Sequence, residues 1–201
     1  MRSRYLGEYG TWENESGLYA DTVFQRGDYR SNLHADGGSS QTRIKSHGWL
    51  LSLEVGQAFA INSQWQIEPQ AQIIYRRLNM GDATLGHATV KTDADDDLTL
   101  RLGARIKGSF TTAAGVVQPY GRINVYKASK TTDVTTFYTA AETTAIQAQG
   151  GYTSTELAAG ATLQLSPRTS LYGELGKLWS NSGASRVKSG AQASLGIKVT
   201  W

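Results

Sequence analysis

Apolar and polar residues alternate one by one along most of this chain. The clearest case is the C-terminal stretch 190–201, in which every second residue from Ala191 to Trp201 is apolar. Successive side chains of a β-strand point to opposite faces, so a period of two predicts a strand with one apolar face and one polar face. Stretches of this kind predict nine strands, at 4–12, 17–30, 43–61, 65–78, 97–110, 116–127, 153–165, 169–180 and 188–201.

Composition and run length limit the classes that such a chain can belong to. No run approaches the roughly 18 consecutive apolar residues of a spanning helix, whereas a membrane strand needs only ~9–11 residues with every second one apolar. Hydrophobic residues make up 39% of the chain, below the ~45–50% usual for soluble globular proteins. The sequence has no cysteine, which excludes disulfides, thiolate catalysis, cysteine-ligated zinc and iron–sulfur clusters. Its net charge of +3 is too small to indicate a nucleic-acid partner.

The segments between the predicted strands are alternately short and long. The short ones are 13–16, 62–64, 111–115 and 166–168; the long ones follow Arg30 and span 79–96 and 128–152; and 181–187 is intermediate. Bacterial outer-membrane barrels have short periplasmic turns and long extracellular loops, whereas a soluble sandwich has no reason to sort its loops by length. The sequence therefore predicts an all-β fold, an antiparallel up-and-down transmembrane β-barrel with about nine strands in this chain.

A soluble up-and-down barrel of the lipocalin type, with its apolar face inward, is the alternative explanation of the alternation. The polar faces of the predicted strands carry Gly, Ala, Tyr and isolated charges, whereas a solvated face is usually dense in Lys and Glu. Tryptophans also fall near strand ends, at Trp12, Trp49, Trp65, Trp179 and Trp201. Because Trp prefers the membrane interface, the membrane barrel is favoured.

The odd number of strands bears on where the chain starts. If the C-terminus and the short turns are both periplasmic, the first predicted strand begins at the extracellular end. Bacterial barrels normally have an even number of strands with both chain ends periplasmic. We therefore expect residues 1–201 to form a single barrel domain that lacks an odd number of strands at its N-terminus.

Five segments taken in order carry a family resemblance: 5–12, 49–61, 65–75 with its 68–72 core, 102–105 and 196–201. Together they resemble the translocator β-domain of autotransporters, the proteins of type V secretion, and the pertactin-like kind is nearest. The resemblance implies a twelve-stranded barrel with an N-terminal helix threading its pore and a secreted passenger upstream. The helix, about three leading strands and the passenger are absent from this sequence.

The same resemblance implies a location and a set of partners. The domain is expected in the outer membrane of a Gram-negative bacterium, where it would anchor an upstream passenger and translocate it to the cell surface. The implied partners are its own passenger, the outer-membrane assembly machinery and outer-membrane lipid, with no nucleic acid and no cofactor.

The last eight residues match the pattern polar-x-Gly-x-x-hydrophobic-x-aromatic. The matching positions are Ser194, Gly196, Val199 and Trp201. This ending resembles the signal that the outer-membrane assembly machinery reads, and a final strand can be recognised by strand addition. The alternative is a lipid-facing strand that ends in an interfacial Trp.

Charged residues occupy several positions opposite the apolar faces of the predicted strands. They are Glu54, Glu68, Arg101, Arg105, Lys107, Arg122, Glu156 and Glu174. A charge facing lipid at mid-bilayer costs up to ~2–4 kcal/mol, so these side chains are expected in the lumen. They would line the path of the passenger or hold the pore helix; equally, they could form a structural network solvated by pore water.

No arrangement of residues indicates an enzyme or a metal site. His34 and His87 fall in predicted loops and His47 at a strand start, with no ligand spacing among them. An outer-membrane hydrolase that combines one His with a distant Ser or Asp stays open, because such partners need not be close in sequence. The acidic run 93–97 is expected to be a solvated loop tip.

A diffusion porin or small-molecule channel is the main alternative to a translocator, ahead of the hydrolase. Its strands would look similar one by one. A constriction loop folded into the pore would distinguish it, and 131–150 is the candidate.

Overall fold

The computed structural model describes residues 2–34, 41–185 and 188–201, and its regular structure is all β. Its strands are β1 (Arg2–Glu13), β2 (Leu18–His34), β3 (Gln41–Gln57), β4 (Phe59–Ala60), β5 (Trp65–Met80), β6 (Ala83–Leu85), β7 (Ala88–Asp93), β8 (Asp97–Gly108), β9 (Phe110–Thr112), β10 (Gly115–Ala128), β11 (Thr132–Tyr138), β12 (Thr143–Gln149), β13 (Tyr152–Ser166), β14 (Thr169–Gly183) and β15 (Gly190–Val199). No helix of the described residues is long and apolar enough to cross a membrane.

The long strands form one antiparallel up-and-down sheet. Their order is β1-β2-β3-β5-β8-β10-β13-β14-β15, and each predicted strand corresponds to one of them with bounds shifted by a few residues. The largest shifts are in β2 and β3, which pair as far as His34 with Gln41. His34, predicted to lie in a loop, therefore ends a strand, and His47 lies inside β3 rather than at its start.

Polar side chains hold three of the short turns between these strands. Asn14 Oδ1 accepts two backbone N–H groups at 3.0 Å each, and Asn62 Oδ1 accepts two at 2.9 Å each. Ser166 Oγ accepts two more, at 3.2 and 3.1 Å. A side chain that takes up the N–H groups of the following residues favours a tight turn at that point.

The ladder between β3 and β5 is interrupted opposite Pro69. The two strands pair up to Gly56 with Gln70, and pairing resumes only at Phe59 with Ile67, where β4 begins. Proline has no N–H to give to a ladder, and Pro69 accounts for this interruption. The strand predicted at 43–61 is thereby divided into β3 and β4.

The long loops contain strands that the alternation did not predict. β6 and β7 form one hairpin and β11 and β12 form another. The two hairpins pair through β7 and β11, which gives a second sheet in the order β12-β11-β7-β6. The sequence of β11, TDVTTFY, is rich in the Thr, Val and aromatic residues that favour strands.

The acidic run between β7 and β8 is tied to its surroundings rather than freely solvated. Asp95 Oδ2 accepts the Thr132 N–H at 2.7 Å, and Asp97 forms an ion pair with Arg76. These contacts join the two hairpins to each other and to the main sheet.

The apolar face of the main sheet is exposed and its polar face is covered. Leu102, Leu175 and Leu195 are 67%, 69% and 89% exposed, whereas Glu68 and Asn124 are 5% and 2% exposed. A soluble barrel buries its apolar face, so this arrangement excludes the lipocalin alternative. It is the arrangement of a membrane barrel, with an outward face that contacts lipid.

The tryptophans lie at two levels of the sheet. Trp12, Trp65 and Trp201 lie at the short-turn end, and Trp49 and Trp179 lie towards the long loops. About ten residues of β14 separate the two levels, which at ~3.3 Å per residue and a ~40° tilt gives the ~25 Å apolar band of a membrane barrel.

Candidate functional site

The polar face of the main sheet carries one hydrogen-bonded network of charged side chains. It contains all of the charged residues singled out in the sequence except Lys107: Glu54, Glu68, Arg101, Arg105, Arg122, Glu156 and Glu174. The strands position them by alternation, since each residue occupies a polar-face position of its strand.

Arg101 on β8 has four side-chain partners in the network. Its Nη2 lies 2.8 Å from Glu54 Oε2 on β3. Its Nε donates to Gln72 Oε1 at 2.8 Å, and its Nη1 donates to Gln70 Oε1 and Asn124 Oδ1, both at 3.2 Å. These partners satisfy the guanidinium although Arg101 is only 9% exposed.

Glu68 on β5 is held by a second arginine and by a tyrosine. Arg105 Nη2 lies 2.8 and 3.0 Å from the two oxygens of Glu68. Tyr19 Oη lies 3.1 Å from Glu68 Oε1 and 2.9 Å from Glu54 Oε1, so it bridges the two carboxylates. Gln70 Nε2 donates to Glu68 Oε1 at 2.6 Å. The covered carboxylates of this half are thus paired as well as hydrogen-bonded.

Arg122 on β10 lies between two further carboxylates. Its Nη2 is 3.2 Å from Glu156 Oε1 and 2.9 Å from Glu174 Oε1. Tyr120 Oη donates to Glu174 Oε2 and Tyr126 Oη donates to Glu156 Oε2, both at 2.7 Å. This half of the network therefore spans β10, β13 and β14.

Asn124 joins the two halves. Its Oδ1 accepts from Arg101 at 3.2 Å, and its Nδ2 donates to Glu156 Oε2 at 2.9 Å. The network also has neutral members, which the pattern of charges in the sequence does not indicate although they share the same alternation: Tyr19, Ser52, Gln70, Gln72, Tyr120, Asn124, Tyr126 and Gln192.

Two of the tyrosines lie over glycines of the neighbouring strand. Tyr19 pairs in register with Gly56, and Tyr120 pairs with Gly160. A Cβ at either glycine would come within 2.7 Å of the tyrosine ring. The glycines therefore leave room for each ring to lie along the sheet and reach its carboxylate.

Lys107 stands apart from the network. It lies on the same face of β8 as Arg101 and Arg105, two residues beyond Arg105. With the described residues it forms neither an ion pair nor a side-chain hydrogen bond.

The four residues of the C-terminal pattern lie on or just after β15. Val199 and Trp201 are exposed, at 55% and 101%, and Ser194 is exposed as well. Gly196 pairs with Tyr172 of β14, whose ring covers it. β15 pairs only with β14 among the described residues, so it ends the sheet on this side.

The histidines lie away from the network. His47 is exposed on the outward face of β3, and His87 is exposed in the turn between β6 and β7. The His34 side chain lies outside the described residues. No group of three or more His, Asp or Glu side chains in the described part of the chain could hold a metal ion.

The Autotransporter beta-domain family matches residues 1–176. The chain belongs to this family. The BrkA autotransporter of Bordetella pertussis is 30% identical over 137 residues, which are 66% of this chain and 14% of that protein. The pertactin autotransporter of Bordetella parapertussis is 28% identical over 128 residues, which are 61% of this chain and 14% of that protein.

Solved autotransporter structures have the same fold. The β-domain of the Bordetella autotransporter BrkA matches with a TM-score of 0.66 at 23% identity, covering 99% of this chain and 73% of that one. The transport unit of AIDA-I from Escherichia coli matches with a TM-score of 0.74 at 15% identity, covering 99% and 66%. The antiparallel sheet of this autotransporter β-domain is therefore of the β-barrel type.

Membership of the family fixes location and general role. Autotransporter β-domains reside in the outer membrane of Gram-negative bacteria, where they serve transport and anchoring rather than catalysis. The match does not favour the porin alternative, and the proposed constriction loop 131–150 forms the β11–β12 hairpin of the second sheet. The chain spans only 14% of the length of the first curated relatives that it matches.

Proposed function

We propose that this autotransporter β-domain anchors an upstream passenger in the outer membrane and translocates it to the cell surface, without catalysis of its own. The observation that carries the proposal is the inverted sheet, with exposed apolar side chains outward and a covered polar network on the other face. A chain in transit across a ~30 Å hydrocarbon layer must keep its backbone groups away from lipid, and a polar lumen provides such a path.

The charged network is compatible with the passage of polypeptide chains of varied sequence. Each arginine has a carboxylate partner, so the wall offers donors and acceptors without a strong field of one sign. We therefore assign Glu54, Glu68, Arg101, Arg105, Lys107, Arg122, Glu156 and Glu174 to the lining of this lumen. Lys107 is the member without a partner among the described residues, and it is the one best able to contact a passing chain.

The last strand is proposed as the signal for insertion. The outer-membrane assembly machinery would read Ser194, Gly196, Val199 and Trp201 by strand addition along β15, in which alternate side chains fill pockets. The exposure of Val199 and Trp201 supports this role. A third partner is the surrounding lipid, which the outward leucines would contact.

We also propose that further strands complete the barrel between β1 and β15. The two strands end the observed order, and every residue of β1 is exposed. The chain covers 73% of the BrkA β-domain to which it is similar, which leaves room for such strands.

A protease assay on intact cells tests export. With the full-length protein, an added protease should remove an upstream segment from intact cells, and deletion of 190–201 should abolish that cleavage because the last strand is lost. As a control, the residues 139–142 of the β11–β12 turn are replaced by Gly and Ser at equal length, which should leave export unchanged. If the unaltered domain assembles and nothing upstream reaches the surface, the export proposal fails. The ion conductance of the domain in a lipid bilayer would then test whether it is a porin.

Labelling of single cysteines tests the orientation of the domain. The chain has no cysteine of its own, so Ala140→Cys in the β11–β12 turn and Ser63→Cys in the turn before β5 each introduce a single site in the domain. In intact cells a membrane-impermeant maleimide should label the first variant and spare the second, because long loops are extracellular and short turns periplasmic. Both should react after lysis. If only the Ser63→Cys variant were labelled in intact cells, the orientation would be the opposite one, with the short turns extracellular.

A further inference from the structure

A cluster of cations covers one corner of the outward face, where β1, β2, β3 and β5 approach the long loops. Its members share exposed side chains at outward positions, and they are Arg2, Arg4, Arg26, Arg30, Arg43, Lys45 and Arg77. We call this set the basic corner. On β3 the outward positions are fixed by Trp49 and Leu51, and Lys45 lies an even number of residues from both.

The strand register brings these cations side by side. Arg2 pairs with Arg30 across β1 and β2, and Arg30 pairs with Lys45 across β2 and β3. Like charges directly opposite each other destabilise a sheet. An anion bound over this row of three cations would offset their repulsion and stabilise the three adjacent strands.

Few carboxylates lie at this corner among residues 2–34, 41–185 and 188–201. Asp28 lies within it, and Arg77 Nε lies 3.5 Å from Asp96 Oδ1. Among the described residues the other members form no ion pair, unlike the arginines of the polar face. A groove of about 360 Å³ is lined by Arg2, Arg4, Arg30 and Lys45, with Asp28 as its one carboxylate, and it leaves room for an anionic group.

The height of the basic corner matches the membrane surface. Trp49 and Tyr75 lie with ring centroids 4.9 Å apart, and Arg26 and Arg77 pair with Trp49 on either side. Lys45 lies four residues further along β3, which is ~13 Å along the strand and ~10 Å in height at a ~40° tilt. The cations therefore lie at and just above the level of the aromatic belt, where lipid headgroups are.

Apolar side chains lie directly below the cations. Phe24 and Leu51 pair across β2 and β3 and are 45% and 47% exposed. A ligand that covers both levels must have an anionic head and apolar tails.

We propose that the basic corner binds the phosphate-bearing headgroup of an outer-leaflet glycolipid, whose acyl chains lie against Phe24 and Leu51. Guanidinium groups match phosphate oxygens in bidentate geometry, and a phosphorylated headgroup relieves the repulsion between Arg2, Arg30 and Lys45. The proposal goes beyond translocation, and it depends only on the orientation in which the long loops are extracellular. An acidic protein partner is disfavoured, because the cations continue directly into a lipid-facing surface.

Binding to a defined lipid tests the proposal. The full-length protein is placed in phosphatidylcholine nanodiscs that contain either diphosphorylated lipid A or the same lipid without phosphates, and native mass spectrometry measures the retained glycolipid. The unaltered protein should retain the phosphorylated lipid preferentially. The double variant Arg30→Gln, Lys45→Gln should bind it about twenty-five-fold more weakly, at about fivefold for each cation near the membrane surface.

A matched pair of lysines provides the control. Lys127 and Lys177 are exposed at the same end of the outward face, on β10 and β14, without like-charged neighbours in register. Lys127→Gln with Lys177→Gln should leave binding within about twofold, since the cluster is intact.

Three results would overturn the proposal. One is equal retention of the phosphorylated and dephosphorylated lipids by the unaltered protein, a comparison that needs no variant to fold. Another is displacement of the glycolipid by inorganic phosphate alone, which would assign the corner to a free anion. The third is unchanged lipid binding by a folded Arg30→Gln, Lys45→Gln protein. In that case the basic corner is not the lipid site, and an acidic protein would be the remaining candidate partner. A failure of export in the protease assay would leave all three readouts unaffected.

Discussion

Replacing Arg101 with methionine is expected to lower the free energy of unfolding by about 3 kcal/mol. The Arg101 guanidinium lies 2.8 Å from Glu54 Oε2 and donates to the side chains of Gln72 and Asn124. Methionine keeps the aliphatic volume but leaves Glu54 as a covered carboxylate without its cation. Removing one partner of such a pair costs more than the pair contributes, because the remaining charge is uncompensated. The change in the free energy of unfolding is measured by urea unfolding of the full-length protein. The folded fraction at each urea concentration is read from the heat-dependent shift of folded barrels on denaturing gels.

Lys107 supplies the matched control for Arg101. It lies on the same face of the same strand and forms no ion pair with the described residues, so Lys107→Met should change the free energy by less than about 0.5 kcal/mol. The double variant Arg101→Met, Glu54→Gln should recover part of the loss, because it removes the orphaned charge. Equal losses in the Arg101 and Lys107 variants would mean that the network adds nothing beyond side-chain packing.

The main sheet could be predicted from the sequence because its strands face two different solvents. With lipid on one side and polar surroundings on the other, each strand must alternate, as Ala191 to Trp201 does. Departures from the prediction lie where this constraint ends. The β11–β12 hairpin lies in a long loop beyond the apolar band, and its residues follow strand propensity rather than a two-faced pattern.

The charged network could be predicted only in part. Alternation places Arg101 and Glu54 on the same face, but whether they meet depends on the registers of β3, β5 and β8, which local sequence does not determine. The bridging role of Asn124 likewise depends on its place between β8 and β13. Tyrosine–glycine pairs such as Tyr120 with Gly160 carry a signal that becomes visible only when two strands are aligned.

Replacing Gly196 with valine is expected to impair folding of the last strand, at a cost of about 2–3 kcal/mol. Gly196 pairs with Tyr172, and a Cβ at this position would lie 2.7 Å from Tyr172 Cε1 and closer still to the hydroxyl end of the ring. Gly190 on the same strand is the control, because a Cβ there meets nothing within 4 Å. Gly190→Val should therefore assemble normally. The measurement is the fraction of newly made full-length protein that becomes heat-shifted in the outer membrane, and equal fractions for the two variants would contradict the prediction.

The double variant Tyr172→Ala, Gly196→Val separates two roles of this glycine. If Gly196 matters because Tyr172 must lie over it, removing the ring relieves the overlap, and the double variant should assemble better than Gly196→Val alone. If the assembly machinery reads Gly196 itself within the C-terminal pattern, the valine blocks recognition whatever stands at position 172, and the double variant should stay as defective as the single one. The free energy of unfolding of the assembled fraction distinguishes the cases further, since a recognition defect lowers the yield without lowering the stability of the molecules that do fold.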